Sequence, residues 1–318
     1  MNNTINQKSE VLFLYESTYS IPNGDPFTGE QRYDEETKKI LVSDVRIKRF
    51  IRSHLEEVEK EPIYVSDKTG VGKTDAKNVL SWIATNRNPN KKTDIGEILK
   101  EQIDVRLFGG ISTLGDKVKL KVDEKDVNFT NGHVQFTGPV QFALLNPSLN
   151  EVNLRMHQNT THFTSKADNT QGSIGTTTIV PYGLIQIHGW INPRSAEKTG
   201  LTGADKEKMF KALWESVNDI NTRSKSNQNS TLLIEIIYAK PHYKVYGVDR
   251  LIKITPKNGK TSEQIRSMED YDFDFSKLTA LQENQKVSKI RYHTDIDEVA
   301  NELSKFNKFT SMDFYKNQ

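Results

Sequence analysis

The 318-residue chain has no cysteine at all, which excludes disulfides, thiolate zinc sites and cysteine nucleophiles and fits a reducing cytoplasm. No stretch approaches the roughly 18 to 20 apolar residues of a membrane-spanning helix. The polar opening Met1 to Glu10 has no signal-peptide core. Charge of one sign is also missing: 44 basic residues face 42 acidic ones, a formal net of +2. Any nucleic-acid site must therefore come from local clustering and not from a global field. Apolar residues make up only 35%, so much of the chain is expected at surfaces, loops or interfaces. Repeats and long low-complexity segments are absent. These features predict a soluble cytoplasmic protein, built as one large domain with insertions or as two ordinary ones.

What is present reads as an α+β fold. Val11-Leu12-Phe13-Leu14-Tyr15 is too short for a helix core and fits a strand buried on both faces. From Ser43 the period becomes helical, with Ile47, Phe50, Ile51, Leu55 and Val58 on one side and Ser43 or Asp44 at the capping position. A less regular stretch follows. It holds a strand-like Ile63 to Val65, a small helix at Ala76 to Ala84, a polar loop Asn86 to Lys92 and a helix from Asp94. A second strand, Gly138 to Leu145, leads into a polar excursion from Asn146 to Thr178 with seven threonines. Alternation at Val152, Leu154 and Met156 predicts an extended arm or hairpin there, and so long a polar connection is expected to be functional or ordered by a partner. Tyr182 to Ile191 is a third strand and Leu232 to Tyr238 a fourth. Between them runs an amphipathic helix with Met209, Phe210, Leu213, Trp214, Val217 and Ile220 inside and Thr202 as its cap. The order strand, helix, strand, strand, helix, strand is ferredoxin-like, as in RNA-recognition-motif domains. Such a sheet packs two helices on one face and leaves the other free to bind. Past residue 255 the tail is polar, with an acidic run Glu269 to Asp274 and a helical stretch near Ile296 to Phe306.

Six basic residues lie between Thr37 and His54 (Lys38, Lys39, Arg46, Lys48, Arg49, Arg52) against one acid, Asp44. On a wheel of about 100° per residue, Arg46, Arg49 and Arg52 are placed away from Ile47, Phe50 and Ile51, with Lys48 beside them. Such a ridge suits a phosphate backbone; the alternative is a solvated helix face. Asn23 and Gly24, in Pro22-Asn23-Gly24-Asp25-Pro26, offer exposed amides to a phosphate or base edge, or else form an ordinary turn. On the arm, Met156 and His157 combine an adaptable apolar side chain with a ring beside Arg155, a tip able to wedge between bases or a plain hairpin. Arg223 and Lys225 follow the second helix within reach of a backbone. Gly72-Lys73-Thr74 lacks the upstream glycine of a phosphate loop, since Asp67 stands there. Asp25 and the acids Asp34, Glu35 and Glu36 would be the ligands of a metal-dependent ribonuclease. The histidines have no metal spacing and no triad can be assigned, so no catalytic residue, metal or cofactor is expected.

Seven segments in order resemble the backbone subunit of the type I CRISPR Cascade complex, of the Csh-type, subtype I-B-like branch of the RAMP superfamily. They are Pro22-Asn23-Gly24-Asp25-Pro26, Asp34-Glu35-Glu36-Thr37, Val42-Ser43-Asp44-Val45-Arg46-Ile47-Lys48-Arg49, Asp104-Val105-Arg106-Leu107-Phe108-Gly109, Thr137-Gly138-Pro139-Val140-Gln141-Phe142, Lys198-Thr199-Gly200-Leu201-Thr202 and Asn221-Thr222-Arg223-Ser224-Lys225. The resemblance spans residues 10 to 250. It implies a palm like an RNA-recognition motif, assembled from 1–55, 105–145 and 181–255, a finger-like insertion at 56–104, a long β-hairpin-like thumb at 146–180 and a C-terminal extension at 256–318. It also implies copies stacked head to tail along crRNA, with target DNA met through the guide. A large subunit, a handle-capping subunit and a repeat-processing subunit would complete the complex, with no membrane and no catalysis by this chain. Arg46, Lys48 and Arg49 would then grip guide phosphates, Asn23 and Gly24 line the same groove, and Met156 and His157 belong to the thumb. Type III relatives cleave target RNA with a loop aspartate, but the Asn-Gly-Asp-Pro setting of Asp25 matches the non-cleaving pattern.

Overall fold

A computed structural model describes residues 4–67, 75–88, 90–160 and 174–315. Strand β1 (Ser9–Ser20) is the centre of the molecule. Val11 to Tyr15 are all at most 1% exposed, because successive side chains point to opposite faces and both faces are covered. Strands β2 (Tyr33–Asp34) and β3 (Lys39–Ser43) form a short hairpin that delivers the chain to helix α1 (Asp44–Glu57). Ser43 caps it through an Oγ that accepts from the Arg46 amide. Ile47, Phe50, Ile51 and Leu55 are buried as the periodicity predicts, whereas Val58 lies past the helix end and is exposed.

The next stretch builds its own small core. Helices α2 (Ala76–Asn86), α3 (Ile95–Lys100) and α4 (Ile103–Phe108) precede strands β4 (Gly109–Thr113), β5 (Lys117–Val122), β6 (Lys125–Thr130) and β7 (His133–Thr137). β5 pairs with β6 and β4 with β7, one hairpin nested in the other. Leu80, Ile83 and Leu99 pack in one cluster with Leu120 and Phe129, so this unit draws on residues beyond 104 as well as on 56–104. Ile63 to Val65 is not a strand: the amides of Tyr64 and Val65 donate to the carboxylate of Asp104, at 2.7 and 3.0 Å, instead of to a ladder. Gly72-Lys73-Thr74 lies outside the described residues.

The unit joins the rest through a neck of two glycines. A Cβ on Gly138 would sit 2.0 Å from the Phe108 carbonyl carbon, and one on Gly109 (φ +79°) would sit 2.2 Å from the Phe136 carbonyl oxygen. Backbone stands on both sides, so nothing can yield. Gly138→Ala is therefore expected to lower stability by about 3 kcal/mol or more, beyond ordinary overpacking, read as a shift in the urea midpoint at unchanged m-value.

Strand β8 (Val140–Phe142) returns to the main sheet, then the chain leaves it at once as β9 (Leu145–Pro147), which pairs with β3. The expected strand Gly138 to Leu145 is thus two short strands in two sheets. The excursion is a hairpin of β10 (Arg155–Thr160) and the 18-residue β11 (Ile174–Ile191), whose far half continues into the sheet core beside β1. Helices α5 (Pro193–Thr199) and α6 (Gly203–Asp219) and strand β12 (Gln228–Tyr238) complete the order. The predicted Thr202 cap is present as a capping box with Asp205. Neighbours run β8, β11, β1, β12, all antiparallel. That is the second, third, first and fourth strand of the ferredoxin-like α+β palm, with α1 and α6 on one face, packed through Phe50, Phe210, Leu213 and Trp214.

The other face is not free, contrary to expectation. The C-terminal extension adds β13 (Lys253–Pro256), β14 (Tyr271–Asp274), α7 (Ser276–Thr279), β15 (Val287–His293), α8 (Asp297–Leu303) and β16 (Phe309–Ser311). Strand β15 lengthens the sheet beside β12, and β16 lies parallel to β15. Leu251, Ile252, Tyr271, Phe275 and Leu278 cover Leu12, Leu14, Tyr182 and Leu232. The acidic run is neutralised locally, Asp270 by Lys260 and Asp272 by Lys257. Among the described residues no helix is long and apolar enough to cross a membrane. What the extension leaves open are the strand ends, where loops and the β10–β11 hairpin leave the sheet, and a cleft beside residues 249–254.

Candidate nucleic-acid interface

The loop after β1 is welded to the start of α1. Asn23, 7% exposed, accepts with its Oδ1 from the amide of Ser43 at 2.7 Å and from its Oγ at 2.8 Å. Its own amide donates to Gln31 Oε1 at 3.0 Å. Asp25 organises the tip: Oδ1 accepts from the Phe27 amide at 2.9 Å and Oδ2 pairs with Arg32 at 3.2 Å. Gly24 lets the two limbs close, since a Cβ there would approach the Gly29 carbonyl oxygen to 3.2 Å. Asn23 is thus a clip that holds the loop on the helix cap, and Phe27 is left 97% exposed on a fixed turn.

The cap aims α1 so that Arg46 and Arg49 enter a cleft of about 760 Å³, lined also by Asn23, Gly24, Leu144 and Lys225. The Arg46 guanidinium lies 3.9 Å over the Phe50 ring, and its Nε and Nη2 are buried with no hydrogen-bond partner among the described residues. Burial lowers its pKa to about 10, with the nearby Tyr15 opposing and Arg49 reinforcing the shift. It remains charged at neutral pH. Arg49 is exposed. Lys225 has its pKa lowered by burial and then by Arg46 and Arg49, so the three cations feel one another. The acids that share the cleft are each paired, Asp25 with Arg32, which lines it too, and Asp44 with Lys48. Like charges brought together beneath a partly desolvated surface, without a counter-anion, make a site for an anion with several acceptor oxygens.

His157 and Arg223 line a second cleft of about 530 Å³ with Tyr19 and Thr177, and Gly29 lines both clefts. Met156, one residue earlier on β10, is 79% exposed and faces the other side of the hairpin, as strand alternation requires. The arm beyond Thr160, including His162, lies outside the described residues until Ile174.

Lys48 and Arg52 stand apart. On the wheel Arg49 lies about 60° from both Arg46 and Arg52, so the ridge is continuous in placement. Its partners divide it. Lys48 Nζ donates to Asp44 and Gln141, both at 3.2 Å, and Arg52 Nε donates to the fully buried Asp104 at 3.1 Å. Leu144, 75% exposed at the cleft edge, was missed because it ends an apolar run that reads as core; Asn146-Pro147 just after it was the available signal that the strand breaks. Asp34 is held in a turn by Thr37 and the Glu36 amide, which lower its pKa. Among the described residues, Asp25 and Asp34 to Glu36 enter no group of three ligand-bearing side chains; His54, Glu59 and Glu215 do, at the far end of α1.

Residues 7–276 match the family model of CRISPR-associated protein Cas7. The CRISPR-associated protein Cas7 of Haloferax volcanii is 30% identical over 283 residues, covering 85% of this chain and 81% of that protein. In fold, the chain is similar to one from a "CRISPR RNA-guided surveillance complex, pre-nicking", with a TM-score of 0.52, 13% identity and coverage of 96% and 97% of the two chains. It is also similar to one from a "CRISPR RNA-guided surveillance complex", with a TM-score of 0.54, 11% identity and coverage of 96% and 95%.

Proposed function

The chain belongs to the Cas7 family of CRISPR-associated proteins, and on that premise we propose that it is a guide-RNA-binding backbone subunit of a type I, I-B-like interference complex. Copies multimerise head to tail along crRNA, an open heterologous assembly, and present the guide for pairing with target DNA. Sequence is then read by base pairing, while the protein holds the backbone. The β10–β11 thumb folds across the RNA at the neighbouring copy, and the large, handle-capping and repeat-processing subunits complete the complex.

The observation that carries this reading is the Arg46 guanidinium, whose Nε and Nη2 are buried without a hydrogen-bond partner among the described residues, beside Arg49 and Lys225. A phosphate supplies what those groups lack. Arg223 and His157, in the adjoining cleft, extend the cationic track toward the thumb, and Met156 offers an adaptable apolar edge there. Two of the carboxylates that a ribonuclease could use are engaged otherwise, Asp25 by Arg32 and the turn of its own loop and Asp34 by Thr37. Co-expression with a CRISPR array is expected to yield protein that co-purifies with crRNA and leaves complementary RNA intact in Mg²⁺. Cleavage at regular intervals that disappears in Asp25→Ala would replace this reading with that of a target-RNA endoribonuclease.

A further inference from the structure

Lys39 belongs to the basic cluster of the sequence, yet it does not reach the Arg46 cleft. It sits at the opposite end of β3, about 13 Å from Ser43 at roughly 3.3 Å per residue, and lines a separate cleft of about 540 Å³ between the β3–β9 pair and β11 on one side and residues 249–254 on the other. Arg250 and Lys253 join it there, with Asp249 the only carboxylate in the lining. The remaining wall mixes apolar side chains, chiefly Leu149, Ile252 and Ile254, with the polar Asn146, Ser148 and His188, the last paired with the buried Glu10 at 2.9 Å. Leu145 lines both clefts, so the exposed Leu144–Leu145 turn is a low ridge with cations on either side. One wall group lacks a partner. Gln186 is 6% exposed and its Nε2 donates to the Asp249 carbonyl at 2.6 Å, but its Oε1 is buried with no donor among the described residues. A bare acceptor in a wall of mixed polar and apolar side chains, below a cationic rim, matches a nucleobase that carries an N–H and is attached to a phosphate.

We propose that this cleft is a second nucleotide subsite on the same RNA strand. The strand leaves the Arg46 cleft, crosses Leu144–Leu145, and places a phosphate at Lys39 and Lys253 with its base against Ile252 and Ile254, donating toward Gln186 Oε1. This rests on the RNA-binding reading of the first cleft. Net positive lining and continuity across a shared residue favour RNA over a segment of another protein.

The test is the salt dependence of binding to single-stranded RNA by the full chain, with 4-thiouridine crosslinking as a second readout. Lys39→Ala with Lys253→Ala should reduce the slope of log K against log salt by about 0.7, the value for the one phosphate they share on a single strand. Crosslinks in the native protein should appear on peptides spanning 249–254. A native slope and no such crosslinks, in a protein whose Arg46→Glu/Arg49→Glu variant has lost RNA, would overturn the second subsite and leave the first standing. Loss of the second subsite together with unaltered binding by the Arg46/Arg49 variant would remove both. A double variant that associates less with itself in the absence of RNA, at native slope, would make the cleft a docking surface between copies and overturn the proposal.

Discussion

Arg46→Glu combined with Arg49→Glu is expected to abolish stable RNA binding while the protein stays folded. Charge-assisted hydrogen bonds are worth about 1.5–3 kcal/mol each, so losing two costs a hundredfold in affinity at the least. The new carboxylates also supply Lys225 with counter-anions that compete with phosphate. The salt slope should fall by about 1.4, two phosphate contacts on a single strand. Stability should move the other way for a subtler change. Arg46 is held over Phe50 with Nε and Nη2 buried and unpartnered, an arrangement that costs the free protein desolvation energy. Arg46→Leu keeps the packing on Phe50 and removes that cost. Its melting temperature should therefore rise, while its RNA affinity falls about tenfold or more. A binding residue that the fold would be steadier without is one retained for its ligand. Equal loss of stability and affinity in Arg46→Leu would mean that this guanidinium serves the fold.

The ferredoxin-like order was legible because each palm element carries its own period: the apolar run of β1, the 3.6-residue stripe of α1, and the Thr202–Asp205 box that starts α6. What could not be read locally was where the chain spends its polar side chains. Asn23 looked like a ligand contact, and only the fold brings Ser43 within 2.8 Å of it. The short segments that resembled the family were informative for a structural reason. Phe108-Gly109 and Gly138 form the neck of the finger-like unit. Arg106 binds Asp205 through two contacts, at 2.7 and 3.0 Å, and its carbonyl accepts from Thr199 at 2.9 Å. These are long-range pairings with no periodic signature. Burial alone would raise the Asp205 pKa, but Arg106 and Thr202 outweigh it and hold it below the ordinary range. The covered sheet face was invisible for another reason. Tyr271, Phe275, Leu278 and Ile290 are spread through a polar tail, and their apolar side chains converge on Leu12 and Leu14 only in three dimensions.

Arg52 and Asp104 separate charge that serves the fold from charge that serves RNA. Asp104 is 0% exposed and accepts from Arg52 Nε and from two backbone amides, those of Tyr64 and Val65. It is the pin that fixes the segment after α1 against α4, and so fixes the finger-like unit on the palm. Asp104→Ala strands two amides and a guanidinium that stands 5.2 Å over the Phe108 ring. Breaking a buried pair from one side costs about 3–5 kcal/mol, a large share of the ~5–15 kcal/mol that holds a domain together. Arg52→Ala leaves the carboxylate with its two amide donors, so its cost should be smaller, about 1–3 kcal/mol. Denaturant unfolding orders the two. The decisive comparison is with RNA. Although Arg52 lies within two turns of Arg46, its removal should leave the salt slope unaltered, because its charge is already answered by the buried Asp104. A slope that drops by one contact in Arg52→Ala would put the helix's whole basic edge back on the RNA.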